Sequence, residues 1–408
     1  MESLRETPPP QRRAAASKKP NLGKEAIDLH RRLRGKIEIK SKVPIRTMHD
    51  ISVAYTPGVA EVCRAIAQDR EKAYEYTSKW NNIAIVTDGT RTLGLGKLGP
   101  EAALPVMEGK ALLYKQFGNV DAFPICLATT NIDEIIATVK NIAPVFGGLN
   151  IEDIETPKVL EIVDRLNAEL DIPVFHDDQH GTAVVTLAAL LNAMRLTKRE
   201  PENTSVVVAG AGSAGYGIVK ILKEIGVQDI TVTDSQGVIS KARDLTTMNK
   251  YKLELAEMTD RDGSSKAGLA TLADAVKGRD AFIGVSGIKG LLTGEMVASM
   301  NRDAIVFPLT NPDPEIHPRT AAQAGARVIA TGSYKFENRA NNALVFPFTM
   351  RAILDNRIRN IDQKLLVAVA NALADLVPKD KLAPFNILPD VTDKRIQPAV
   401  TRAVQGAK

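Results

Sequence analysis

The sequence predicts an α/β protein with parallel sheets, on three observations. Short β-branched runs alternate with longer helical stretches, several of those runs stop at acidic residues, and one leads through a glycine fingerprint straight into a helix. Parallel strands need crossovers, and the intervening helices supply them in the right-handed sense. We read an N-terminal α/β domain over 25–170 and a Rossmann-type domain over 171–395. A basic tail at 1–24 and a short C-terminal tail at 396–408 flank them.

In chain order, 23–34 reads as a helix and 83–86 as a buried strand that stops at Thr87-Asp88-Gly89, a turn signal. A helix follows over 100–116, a strand over 120–127 and a helix over 132–142. Two further strand-like runs, 145–151 and 172–175, end at Glu152-Asp153 and at His176-Asp177-Asp178, with a helix over 158–170 between them. The apolar stretch 182–194 is helical, 205–209 is a β-branched strand, and 213–225 is a helix. Later strands fall at 230–233, 281–285, 304–308 and 327–330, and a helix over 363–376 packs back on the body.

Composition bounds the rest. A chain of 408 residues suggests two domains, and 44% hydrophobic with 25% charged residues excludes a disordered or fibrous protein. No apolar run is long enough to span a bilayer, so no membrane partner is expected. Cys63 and Cys126 are too few for a disulfide framework, which fits a reducing, cytoplasmic setting. The net charge of +5 sits mostly in residues 1–24, where Arg5, Arg12, Arg13, Lys18, Lys19 and Lys24 face only Glu2 and Glu6. With Pro8, Pro9, Pro10 and Pro20 there too, that segment reads as a disordered tail. The nearly neutral remainder argues against a nucleic-acid partner on charge grounds.

The fingerprint is Gly210-Ala211-Gly212-Ser213-Ala214-Gly215, entered from Val206-Val-Val-Ala209. Its glycines suit a tight turn, a close approach to a pyrophosphate and close helix–strand packing, and the free N–H groups at the helix start face the phosphates. Asp234 ends the next strand, placed to accept from ribose hydroxyls. Ser235 and Gln236 beside it are not cationic, which leans towards NAD over NADP, although Lys250 and Lys252 are close enough to swing in. Gly94-Leu-Gly96-Lys-Leu-Gly99 repeats the spacing without the strand–turn–helix context and reads as a structural loop.

Glu152-Asp153 and Asp177-Asp178 each follow a strand, and the carboxyl ends of neighbouring parallel strands meet at one crevice. Several carboxylates gathered there call for a hard cation, Mg²⁺ or Mn²⁺, with room left for substrate. His176 and His180 bracket the second pair without a third soft ligand, so they read as supporting or packing residues rather than as a zinc site. Lys110 sits between apolar residues. It can act as a base near neutrality only if burial or a nearby cation lowers its affinity for the proton. Tyr55, before the Thr56-Pro57-Gly58 turn, reads on its own as a packing residue.

Several long segments together carry a resemblance. They are Ala54-Tyr-Thr-Pro-Gly-Val-Ala60, Thr87-Asp-Gly-Thr-Arg-Thr-Leu-Gly-Leu-Gly96 and Gly99-Pro-Glu-Ala-Ala-Leu-Pro-Val-Met-Glu-Gly-Lys110. They continue with Asn150-Ile-Glu-Asp-Ile154, Phe175-His-Asp-Asp-Gln-His-Gly-Thr-Ala183, Thr310-Asn-Pro312 and Asn341-Asn-Ala-Leu-Val-Phe-Pro347. In these the chain resembles malic enzyme in its short prokaryotic-type form, from about residue 30 to 400.

That resemblance implies oxidative decarboxylation of L-malate to pyruvate and CO₂ with reduction of NAD(P)⁺, a divalent metal, and a homodimer or larger homo-oligomer. It places Tyr55 as the general acid, Lys110 as the base and Asp177 as the base's carboxylate partner. Glu152, Asp153 and Asp178 fall on the metal ligands, and Arg91 on the arginine that holds the substrate carboxylate. Asn311 and Asn342 fall on positions contacting malate and nicotinamide, with Asn311 and Thr182 also on the cofactor side. Departures from the family pattern are Lys97 for an aspartate, Phe348 for a glycine, and Ser333-Tyr334 for Arg-Ser. Two rival readings stand beside it: a metal-dependent oxaloacetate decarboxylase that hardly uses the cofactor, and a catalytically silent nucleotide-sensing protein of the same fold.

Overall fold

Two parallel sheets carry the molecule, described here in a computed structural model that covers residues 21–260, 271–333 and 335–408. The expected N-terminal tail up to residue 20 and Tyr334 lie outside the described residues. From Met1–Ile39 the described part holds the helix Leu22–Leu33, capped by Asn21, whose side chain accepts from Lys24 N. Residues 21–24 therefore open a helix instead of ending the expected tail.

Lys40–Lys408 form a separate compact unit that contains both sheets. The first sheet joins β1 (Asn82–Thr87), β2 (Asp121–Cys126), β3 (Gly148–Ile151) and β4 (Val174–His176) in the order β2-β1-β3-β4, all parallel. β1 and β3 are buried throughout, which is why they read as continuous apolar runs without alternation. Pro100 opens the helix Pro100–Gly118 and Asn119, in the left-handed conformation, closes it.

The second sheet joins β5 (Val206–Ala209), β6 (Ile230–Asp234), β7 (Gly237–Val238), β8 (Ala281–Gly284), β9 (Ile305–Pro308) and β10 (Val328–Ile329). Its order is β10-β9-β8-β5-β6-β7, parallel except for the β6–β7 hairpin. The helix Thr182–Thr197 links the two sheets and is apolar on nearly every face, as a helix buried on all sides must be.

Two boundaries differ from those expected. β4 lies beyond the anticipated domain boundary at 171, yet it pairs with β3 in the first sheet. Backbone pairing outweighs the change in sequence rhythm, so the first sheet closes only after His176. The expected tail at 396–408 is instead a helix, Ile396–Gly406, which buries Ile396, Ala399, Val400 and Val404. Its apolar residues recur at helical spacing and pack against the helices Phe346–Asp355 and Gln363–Ala374.

Candidate active site

Register alone gathers the acidic residues. Val86 pairs with Ile151 and Ile151 with His176, so the chain leaves β3 at Glu152 and β4 at Asp177 side by side. A single turn of π-helix, Asp177–Gly181, then directs the two neighbouring aspartates apart. Asp177 reaches Lys110, while Asp178 joins Glu152 and Asp153 in a group in which one oxygen from each lies within 4.8 Å of the others. A β-carbon on Gly181 would sit 2.0 Å from Asp177 Oδ1, so only glycine lets this turn close.

Lys110 projects from the middle of the helix Pro100–Gly118 into this cluster. Its Nζ lies 2.6 Å from Asp177 Oδ2, 2.5 Å from Glu152 Oε2 and 4.6 Å from the centre of the Phe346 ring. Burial on its own would lower its proton affinity, but the charges of Asp177 and Glu152 outweigh that and raise it. The expected activation by burial is therefore reversed while these carboxylates have no other counter-charge. Burial also pushes the Glu152 carboxyl well above its ordinary value, against the pull of Lys110. Burial and then the charge of Asp178 push Asp153 up to about 7.

Two buried carboxylates with raised proton affinities and a third, Asp178, which burial would raise but His176 holds down at about 2, form the donor set a hard divalent cation fits. Supporting bonds fix their directions: Tyr114 Oη donates to Asn150 Oδ1 at 2.7 Å, and Asn150 Nδ2 donates to Glu152 Oε2 at 2.8 Å. Asp153 is held at φ 49° by two bonds, from Arg91 N to its carbonyl and from Leu93 N to its Oδ2. His176 Nε2 stands 3.7 Å from Asp178 Oδ2. His180 packs edge-on against Phe175, and burial together with His176 pushes it down to about 3, so it is neutral. Neither histidine belongs to the carboxylate group.

The glycine loop abuts the same cluster. Gly210 takes φ 118°, and a β-carbon there would meet the Val285 carbonyl at 2.5 Å, which is the close packing the fingerprint anticipates. A β-carbon on Gly212 would lie 3.7 Å from Arg91 Nη1, so Arg91 reaches from the cluster to the fingerprint. Asn342 Nδ2 donates to Asp177 Oδ2 at 3.2 Å and to Thr182 Oγ1 at 3.1 Å, which places Thr182 against the Lys110 partner. Asn311 lies exposed just past β9.

Tyr55 is the residue the structure does not bring in. It is 67% exposed at the corner between the helices Met48–Ala54 and Val59–Gln68, and its hydroxyl bonds to no described residue. Three contributors were missed from sequence. Phe346 lay inside a quoted motif but carried no polar signal. Glu315, fully buried, accepts from Ser286 N and Oγ and from Thr310 N and Oγ1, and so joins the loops after β8 and β9. Arg243 binds Asp234 at 2.8 Å opposite Lys252 at 2.6 Å. Burial would raise Asp234, yet these two cations hold its carboxyl below the usual range.

Comparison with known proteins gives this geometry a family. Residues 34–131 match the family model "Malic enzyme, N-terminal domain" and residues 179–406 match "Malic enzyme, NAD binding domain". The chain is 49% identical over 387 residues to the bifunctional malic/malolactic enzyme of Bacillus subtilis, covering 95% of this chain and 93% of that one. It is 50% identical over 370 residues to the NAD-dependent malic enzyme of Geobacillus stearothermophilus, covering 91% and 76% respectively. The crystal structure of an NAD-dependent malic enzyme from Thermotoga maritima superimposes with a TM-score of 0.88 at 44% identity, over 93% of this chain and 99% of that one. Both halves of the fold are thus matched in the same order, and the chain belongs to the malic enzyme family.

Proposed function

We propose that the buried cluster carries out the oxidative decarboxylation of L-malate to pyruvate and CO₂, with a nicotinamide dinucleotide as hydride acceptor. The observation that carries this reading is Lys110 held between Glu152 and Asp177 beside three converging carboxylate groups.

Lys110 takes the proton of the C2 hydroxyl as the C2 hydride leaves for the nicotinamide. Asp177 Oδ2 steadies the resulting ammonium, and Asn342 steadies Asp177. Arg91 offers its guanidinium fork to a substrate carboxylate. The C3–C4 bond then breaks, releasing CO₂ and leaving an enolate whose C3 accepts a proton from the Tyr55 phenol. Glu152, Asp153 and Asp178 would hold Mg²⁺ or Mn²⁺, which supplies Lewis-acid polarisation of the C2 oxygen.

Tyr55 serves this scheme only if it reaches a site, and the helices around it favour a second copy of the chain as its destination. Neither flanking helix buries a side chain, and Met48, Val53 and Tyr55 are all largely exposed. We infer a homodimer in which this corner inserts into the partner's cluster.

For the cofactor, Asp234 favours NAD. Arg243 and Lys252 give the same subsite a net positive charge, which also admits a 2′-phosphate. A cytoplasmic setting rests on Cys63 and Cys126 both being free thiols. Among the described residues no helix is long and apolar enough to cross a membrane.

The test is NADH and NADPH formation from L-malate with Mn²⁺, run side by side. Faster turnover with NAD⁺ and detectable turnover with NADP⁺ is the expected result. No product with either cofactor would overturn the reading.

A further inference from the structure

The loop that carries Asp153 touches the dinucleotide loop through one side chain. Thr156 Oγ1 lies 2.7 Å from Ser213 Oγ and accepts from Ser213 N at 3.3 Å. Ser213 is the first residue of the helix Ser213–Glu224, it is 1% exposed, and Gly212 before it offers no side-chain cap. Its N–H, like others at a helix start, has no partner within the helix, and Thr156 takes it. Thr156 therefore caps, from the other sheet, the helix on which the dinucleotide rests.

The Thr156 end of this contact is rigid. Glu155 N donates to Thr90 Oγ1, Thr90 in turn donates to Asp88 Oδ1, and the buried Asp88 carboxylate pairs with Lys158 at 2.6 Å. Three residues upstream, Asp153 is pinned in its left-handed conformation by Arg91 and Leu93. A shift of Asp153 towards a cation is thus passed along a short, braced segment to Thr156 and on to Ser213.

We propose that Thr156 is a positioning residue that couples the carboxylate cluster to the dinucleotide loop, so that divalent cation and dinucleotide each tighten the binding of the other. This rests on the proposed reading of Glu152, Asp153 and Asp178 as cation ligands. The cation fixes the position of Asp153, and the braced segment carries that position to Thr156. The hydroxyl pair then holds Ser213 in place, and the dinucleotide meets a loop already set. Because coupling between two binding sites is reciprocal, the enhancement factor must be the same measured from either side.

The experiment is calorimetric titration of the full-length protein with Mn²⁺, with and without saturating NAD⁺, and the reverse titration. We expect each ligand to tighten the other about fivefold or more in the wild type. Thr156→Val keeps the side chain's shape but removes the hydroxyl. It should bring the factor close to one while changing each separate affinity about twofold at most, and Thr156→Ser should restore it. Full coupling retained in Thr156→Val, or no coupling in the wild type, would overturn the proposal while leaving the metal reading intact. Failure of Mn²⁺ to bind at all would overturn the metal reading, and this proposal with it.

Discussion

In the proposed reaction Lys110 and Tyr55 carry the two proton transfers, and the protein treats them in opposite ways. Lys110 is 9% exposed, paired with two carboxylates and seated on an aromatic ring. Tyr55 is 67% exposed, bonds to no described residue through its hydroxyl, and sits on a corner of two helices with no buried side chain. A buried base has its charge state set by its neighbours. An exposed acid takes its environment from whatever later covers it, so in the proposed scheme the protomer builds one half of the acid–base pair and presents the other to a partner. The corner itself is stiff: Gly58 N donates to the Ser52 carbonyl, and a β-carbon there would lie 2.7 Å from the same oxygen.

The sharpest way to break this comparison is to remove each group in turn. Lys110→Ala should lower kcat about 10³-fold, in the range of a lost general base, with NAD⁺ affinity nearly unchanged. It should also shift the melting temperature, because Glu152 and Asp177 lose their shared counter-charge. Tyr55→Phe should lower kcat about 10²-fold and leave the melting temperature alone. Loss of NAD⁺ binding in Lys110→Ala would instead make that lysine a structural element.

Mixing the two inactive variants tests where Tyr55 works. If it serves the partner's cluster, a mixed dimer rebuilds one intact site out of two, and activity should recover to about a quarter of wild type after random exchange. If both groups serve their own chain, every site in the mixture carries a lesion and nothing recovers. Mixed dimers shown to form without recovery would place Tyr55 within its own protomer.

Proton linkage offers a milder test of the buried half. A carboxyl whose folded value is raised binds more protons folded than unfolded between the two values. Stability is therefore lost as pH rises from the unfolded to the folded value. With Asp153 pushed up to about 7 and Glu152 raised as well, the metal-free protein should lose melting temperature from about pH 4 to about pH 7. Mn²⁺ should bind more tightly as pH rises through the same window, releasing protons. Calorimetry in buffers of different ionisation enthalpy reads that release, and a pH-independent affinity would count against the cluster.

How much of this was legible in the residues follows from what each feature depends on. Apart from the two-residue β7, the strands of both sheets and the glycine loop stand close to where hydrophobic pattern and turn chemistry put them, because those are local signals. The gathering of Glu152, Asp153 and Asp178 was legible as well, since strand ends in a parallel sheet converge. The π-turn at Asp177–Gly181 was not, and it gives two adjacent aspartates different partners. Arg243 comes from an irregular loop nine residues past Asp234, where no periodicity points inward. The Ile396–Gly406 helix was read as a tail because its burial depends on surfaces supplied by distant helices.

The finest discrimination compares two phenols. Tyr114 is fully buried and donates to Asn150 Oδ1, whose amide in turn directs Glu152. Tyr114→Phe leaves that buried oxygen unpaired and should cost about 1–2 kcal/mol, a melting shift of a few degrees, with a modest fall in kcat as Glu152 loosens. Tyr55→Phe should do the reverse, sparing stability and damaging turnover, because its hydroxyl has no bond to lose among the described residues. If Tyr114→Phe were thermally silent, the buried network would owe its rigidity to packing, and Asn150 would not be what aims Glu152. If Tyr55→Phe were the one that melted early, the exposed corner would already be docked, and the contrast between the two halves of the site would have to be redrawn with the dimer as the folding unit.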